Sequence, residues 1–303
     1  MFIDIHVHAY RKRNALYEMF NAHTLVKKMD ELDVEKAFVL PIVSPESYLP
    51  QANEDILEMA EMYPDRIVPF CNVDPRTYDN SFDSELDKIF QYYKDLGCKG
   101  IGEVMPNMEL FDPLVQNLFM CAEKVDMPVI FDGSDQHTRD FGLYDDPGLP
   151  QLEHTLQRFP KLKIFGHGPV FWSEIARLKT PGERAWIYTV GRGNHHQVGL
   201  CENSKITEEG VVPILFRRYS NLYGDLSDGT AYNAFARDDE YGPKFMEEFQ
   251  DRLLYGSDML APASGAPMRE LLLDWRKRGK ISETVFQKIA RENAIRIFNL
   301  DAY

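Results

Sequence analysis

His6 and His8 flank Val7 in the opening MFIDIHVHAY. Side chains two apart on a β-strand leave the same face, so both imidazoles could reach one divalent metal ion from a single strand. The same alternation predicts that Asp4 shares their face, with Ile3, Ile5 and Val7 turned toward helices. A lone His-x-His recurs by chance, and its weight depends on where it sits. Four further residues have donor side chains of the same kind: Glu103 in GIGEV, Asp132 in PVIFD, His167 in KIFGHG and Asp258 in LLYGSD. Imidazole nitrogens and carboxylate oxygens bind Zn2+ and, where carboxylates dominate, harder ions such as Mn2+. They also move protons near neutral pH. Any one of these residues could be a satisfied structural polar group. All of them together, each closing an apolar run, point to a site, because ionisable groups are rarely buried unless paired or bound to a cation.

The elements that must position these residues follow from an alternation along the chain. Short runs rich in Val, Ile and Phe are each followed by a longer stretch of helical periodicity, which predicts parallel strands joined by helical crossovers. Eight strands are predicted: Phe2–His8, Lys36–Pro41, Ile67–Val73, Lys99–Val104, Pro128–Asp132, Leu162–His167, Asn221–Leu226 and Arg252–Asp258. Helices are predicted over Thr24–Leu32, Asn53–Met62, Ser81–Leu96, Pro113–Val125, Leu149–Phe159, Met268–Arg278 and Ser282–Asn299, the last with Ser282 as N-cap. Eight such units in 303 residues fit a single (β/α)8 barrel domain over 1–303, since such barrels run from about 200 to above 400 residues. The metal-type residues then fall at strand ends, where a barrel gathers its catalytic groups. A doubly wound open sheet, the alternative, would need a Gly-rich phosphate turn after an early strand, and the sequence has none.

One segment breaks the rhythm. Residues 180–210, between the sixth and seventh strands, hold Gly191, Gly193, Gly199, Trp186, Tyr188 and the pair His195–His196. It is too long for a plain connector and reads as an inserted loop or lid on the active-site face. Arg11, Arg13 and Arg139 follow the first and fifth strands and could clamp a substrate carboxylate. His137 could swing toward a metal, whereas His23 and His154 read as helix-associated surface residues.

Composition narrows the partners. The chain is 44% apolar and 27% charged, with a formal net charge of −14. Such a surface repels nucleic acid and anionic membrane, leaving a small-molecule substrate as the expected partner and homo-oligomer formation open. Cys71, Cys98, Cys121 and Cys201 form no C-x-x-C pair, which argues against a zinc knuckle or redox motif and for free thiols in a reducing compartment. The N-terminus reads as a strand, not a signal peptide. No apolar run approaches the roughly 18 residues of a membrane span. A cytoplasmic enzyme is expected.

Taken together, the opening IDIHVH, GIGE, the MPVIF strand, FPKLKIFGH, NLYGDLS, LLYGSD and the closing NAIRIF resemble the amidohydrolase superfamily, in its amidohydrolase-related branch of metal-dependent barrel enzymes that includes lactonases and decarboxylases. The resemblance covers nearly the whole chain. It implies that His6 and His8 are first-strand metal ligands. It implies that Asp258 binds metal and handles the proton of the attacking water. His167 would polarise substrate or take up a proton, and Glu103 would ligate or bridge. Relatives usually end the fifth strand with a histidine ligand, whereas this chain has Asp132. A carboxylate there still coordinates Zn2+, the expected metal, and shifts preference toward Mn2+. The expected activity is hydrolysis of an amide, ester or lactone by a metal-activated water. The alternatives are decarboxylation of a small acid at the same site, and a binding protein whose catalysis has lapsed.

Overall fold

A computed structural model of the chain describes residues 1–12, 18–47, 49–135, 137, 141–184 and 204–300. Its strands are β1 (Phe2–Val7), β2 (Val34–Val39), β3 (Ile67–Pro69), β4 (Ile101–Val104), β5 (Val129–Ser134), β6 (Leu143–Tyr144), β7 (Ile164–His167), β8 (Leu222–Asp225) and β9 (Leu253–Leu254). They pair in parallel as β1-β2-β3 and as β4-β5-β7-β8-β9, with β6 a short addition on β5. Backbone hydrogen bonds cross both gaps between these sheets. Cys71 N–H donates to Gly100 O and Gly102 N–H to Cys71 O at one seam; Ile5 N–H donates to Tyr255 O and His8 N–H to Met259 O at the other. The eight long-range strands therefore ring a common lumen, as in a (β/α)8 barrel.

The helices follow from local chemistry. Asn21 and Thr24 form a reciprocal capping box that opens Ala22–Glu31, two residues before the helix expected from periodicity alone. Asp112 caps Pro113–Lys124, and Ser282 caps the last helix as expected. That helix is interrupted by a π turn over Lys288–Glu292, whose Ile289 carbonyl accepts from Tyr255 N–H beside β9. Its end, Ala294, Ile297 and Phe298, plugs the base of the lumen.

The lumen is filled by alternate residues of seven strands: Ile3 and Ile5, Phe38 and Leu40, Val68 and Phe70, Ile130, Phe165, Tyr223 and Leu254 pack as one cluster with Phe298. Their sequence neighbours, among them Phe2, Val39, Val129, Phe131 and Ile164, belong to the cluster that joins barrel to helices. This corrects the expected facing of β1. Ile3 and Ile5 point inward and Val7 outward. The cause is an irregularity in the β1 ladder between Asp4 and Val7: an extra residue in a strand reverses the alternation beyond it, so His6 and His8 also turn inward.

Other departures are smaller. The last strand is two residues long, because the chain beyond Leu254 bends toward the site. β6 and the helices Gly168–Ser173, Val211–Arg218, Asp228–Ala236 and Tyr241–Glu248 were not expected; several are short and buried on most sides, which erases amphipathic periodicity. Of the expected inserted loop, residues 185–203 lie outside the described residues, and with them Trp186, Tyr188, His195 and His196. Glu209, near its described end, pairs with Ala176, which precedes the segment. Cys71, Cys98 and Cys121 are free and buried. Among the described residues no helix is long and apolar enough to cross a membrane.

Candidate active site

Above the apolar lumen the inward-facing positions become polar. β1 presents His6 and His8, β4 Glu103, β5 Asp132, β7 His167 and β8 Asp225, all buried. On β5, β7 and β8 this is plain alternation: Ile130 then Asp132, Phe165 then His167, Tyr223 then Asp225. Asp258 arrives differently. The chain after β9 turns through a left-handed φ of 56° at Asp258, held by Asp258 N–H donating to His6 O at 2.8 Å. Asp228 on the neighbouring turn is also left-handed, φ 64°. Such backbone is uncommon for a residue with a Cβ and gathers at functional sites. Gly256 lets this turn close in: a Cβ there would meet Asp225 Oδ1 at 2.6 Å and the His6 Cβ at 3.2 Å.

Four donor atoms converge. His6 Nε2 lies 3.2 Å from His8 Nε2, 3.5 Å from Glu103 Oε2 and 3.6 Å from Asp258 Oδ1. His8 Nε2 lies 3.4 Å from Glu103 Oε2 and 3.2 Å from Asp258 Oδ1. The far side of each ring is already occupied. His8 Nδ1 lies 3.0 Å from Leu40 O. A carbonyl only accepts, so Nδ1 carries a proton, and in the neutral ring Nε2 keeps its lone pair. His6 Nδ1 lies 2.6 Å from Asp225 Oδ2, the carboxylate–imidazole arrangement that orients a metal ligand. Four acceptors thus face one point. Donors each about 2.0–2.2 Å from a common ion, at angles near 100°, stand about 3.1–3.4 Å apart. The residues present fit a divalent cation.

A second grouping joins Glu103, Asp132 and His167. Glu103 links the two, since its other oxygen, Oε1, lies 3.4 Å from His167 Nε2. His167 Nδ1 in turn lies 2.9 Å from Ser227 Oγ and 3.4 Å from Asp225 Oδ2. Asp132 sits deeper, under the turn after β7. A Cβ at Gly168 (φ 84°) would stand 1.8 Å from Asp132 Oδ1, so only glycine allows the carboxylate this position.

Electrostatics tells the same story. Burial works most strongly against charged imidazoles here. Even so, Asp225, Asp258 and Glu103 outweigh it at His6, whose pKa stands well above 6.5, and Asp258 and Glu103 raise His8 to about 9. His167 is pushed up to about 10 against both burial and the His6 charge, by Asp225 and Glu103. Burial likewise opposes the charged carboxylates, but the imidazoles hold Glu103 and Asp225 below the usual range. Asp228 is raised, by burial and then by the Asp258 charge. The cluster draws positive charge toward itself and takes up protons where no metal is bound.

The other expected contributors are elsewhere. Arg11 is half exposed and pairs with Asp55 at 3.4 Å and Glu58 at 3.1 Å, away from the cluster. Arg13 and Arg139 lie outside the described residues. His137 is exposed and faces Glu109 at 3.4 Å; His23 and His154 are exposed as expected. Sequence reasoning did not single out Asp225, Ser227 or Asp228. The signal was present in NLYGDLSDG, a strand whose apolar run ends in two aspartates and a serine.

Comparison with known proteins places this geometry. The family model described as amidohydrolase matches residues 3–300. A search of curated proteins gives no match. Among solved structures, an uncharacterised TIM-barrel protein of Bordetella bronchiseptica is similar at 17% identity and TM-score 0.60, covering 98% of both chains. An amidohydrolase of Burkholderia multivorans with bound zinc is similar at 13% identity and TM-score 0.60, covering 99% of this chain and 100% of that one. A 5-carboxyvanillate decarboxylase of Novosphingobium aromaticivorans, a mutant with bound manganese and a nitrobenzoic acid, is similar at 16% identity and TM-score 0.54, covering 91% and 80%. By the match along nearly its whole length, this chain belongs to the amidohydrolase family.

Proposed function

We propose that this chain is a metal-dependent hydrolase that opens a small-molecule amide, ester or lactone with an activated water. The observation that carries the reading is the convergence of His6 Nε2, His8 Nε2, Glu103 Oε2 and Asp258 Oδ1 within 3.2–3.6 Å of one another for every measured pair. A divalent ion held by these residues, zinc or manganese, supplies the Lewis acidity that brings the pKa of water from about 15.7 toward 7. The chain's own groups do the rest. Asp258 accepts the proton of the attacking water and later hands it to the leaving group. His167, fixed from behind by Ser227 and Asp225, presents Nε2 to the substrate carbonyl oxygen. Glu103 keeps both imidazole sets in register through its two oxygens. Asp132 completes the carboxylate-rich second grouping and favours a harder ion there. The inserted segment 180–210 would cover the mouth, consistent with its length and its place after the His167 strand.

The same cluster could serve a small carboxylic acid, which makes decarboxylation the second reading. Glu103, Asp132, Asp225, Asp228 and Asp258 line the site, and Arg11 is committed to Asp55 and Glu58. The decarboxylase reading is supported by 5-carboxyvanillate and 2,6-dihydroxybenzoate decarboxylases of similar fold, one of them with bound manganese. The deciding assay loads the protein with Zn2+ or Mn2+ and offers lactones, esters, amides and hydroxybenzoates in 18O-water. Release of 18O-labelled acid is expected. Carbon dioxide release from the benzoates alone would move the protein to the lyases, and metal binding without any turnover would make it a binding protein.

A further inference from the structure

We infer that Asp4, which lies behind the strand and not in the site, is the positioning residue that sets the spacing between the β1 imidazoles and Asp258. The inference rests on the proposed metal site. Asp4 is fully buried. Its Oδ1 accepts from two backbone amides, His6 N–H on β1 at 3.2 Å and Ser257 N–H in the turn after β9 at 3.0 Å. The His6 carbonyl meanwhile accepts from Asp258 N–H at 2.8 Å. The His6 peptide is thus held on one side by Asp4 and on the other by Asp258, and Asp4 also holds the residue before Asp258. These contacts sit where the β1 ladder is irregular and where His6 must turn inward directly after inward-facing Ile5. A strand interrupted in this way leaves amides without ladder partners, and buried amides must find an acceptor. Asp4 supplies it to β1 and to the turn after β9 with a single atom.

The use of one oxygen has a consequence. Both backbone amides meet Oδ1 and none meets Oδ2, so the acceptor, not the charge, does the positioning. Asparagine can present the same carbonyl oxygen, whereas alanine cannot. Loss of a group that orients ligands from behind typically weakens metal binding by about 10–100-fold.

The test compares wild type, Asp4→Asn and Asp4→Ala as metal-stripped full-length proteins. Zn2+ and Mn2+ affinities are measured by chelator competition, and amide exchange is followed at Ser257. Val68→Ala in the apolar lumen controls for general loosening, with a lowered melting temperature and unchanged metal affinity. Asp4→Ala should lose at least tenfold in affinity and expose the Ser257 amide to exchange; Asp4→Asn should stay within about threefold of wild type with that amide protected. Wild-type affinity in Asp4→Ala, or a loss in Asp4→Asn as large as in Asp4→Ala, would overturn the inference. If Asp4→Ala does not fold, Asp4→Asn decides alone: retained affinity and protection support the role, and loss of either overturns it. A wild type that binds neither ion would fail the proposed function instead, and Ser257 exchange in the variants would still judge Asp4.

Discussion

The barrel lumen has two halves of opposite character built on the same strands. The lower half is apolar: Phe165 stacks on Tyr223 at 5.0 Å and faces Phe298 at 5.6 Å, and Phe38 meets Phe70 edge-on at 5.4 Å. Two residues further along β5, β7 and β8 the inward positions become Asp132, His167 and Asp225. The lower half gains stability by removing apolar surface from water. The upper half sets buried carboxylates beside buried imidazoles, an arrangement that burial alone penalises. The apolar floor helps enforce that penalty, because low polarity beneath the cluster strengthens every charge interaction above it. One half stabilises the fold, and we propose that the other is stabilised by a divalent ion.

Substitutions should separate the halves. The largest effect is expected from His6→Ala with His8→Ala, which removes two convergent nitrogens; metal content should fall to background and turnover with it, while the far-ultraviolet spectrum persists. Metal retained at full stoichiometry would break the division. In the lower half, Phe165→Ala should cost about 3–5 kcal/mol in urea unfolding, as truncation of a buried phenylalanine does. Metal stoichiometry should not change there, and a loss of metal would show that the floor also shapes the site. His167→Asn should keep metal and lose at least about tenfold in turnover, the low side of acid–base contributions; loss of metal would make His167 an anchor instead.

Protonation offers a finer probe. Against burial, the facing carboxylates raise His8 to about 9 and His167 to about 10 from 6.5. A raised folded-state pKa contributes stability that is complete below the unfolded value of 6.5 and is lost as pH rises through the folded value. Glu103 and Asp225, held low, contribute above the ordinary carboxylate range and lose this as pH falls. The metal-free protein should therefore lose melting temperature as pH rises from about 6.5 toward 10, and the metal-loaded protein less so. Metal uptake at pH 7 should release protons, counted by calorimetry in two buffers. No pH dependence in the metal-free protein, or no proton release, would detach the imidazoles from the cation.

Much of this was legible in the sequence, for definite reasons. A strand that ends in a titratable residue after an apolar run announces both its element and its exposure to the barrel mouth, and this located Glu103, Asp132 and His167, whereas Asp258 reaches the cluster from a turn beyond β9. The same logic misread β1. Alternation assumes an unbroken ladder, and the irregularity at Asp4–Val7 reversed Ile3, Ile5 and Asp4 while leaving the histidines inward. Asp225 was passed over because it touches imidazoles from behind, a role that spacing cannot express. Arg11 looked like a clamp by position, yet Asp55 and Glu58 on the helix Asn53–Met62 compete for it, and no local pattern foretells that pairing.

The central claim is that the upper half holds a divalent ion between β1 and the turn after β9. Crystals grown with Zn2+ or Mn2+, with data collected on either side of each absorption edge, test it most directly. The account predicts an anomalous peak within about 2.0–2.2 Å of His6 Nε2, His8 Nε2 and a carboxylate oxygen of Asp258, with Glu103 in contact. A fully formed cluster that shows no peak at that point in the presence of saturating metal, or a peak bound elsewhere on the chain, would contradict it.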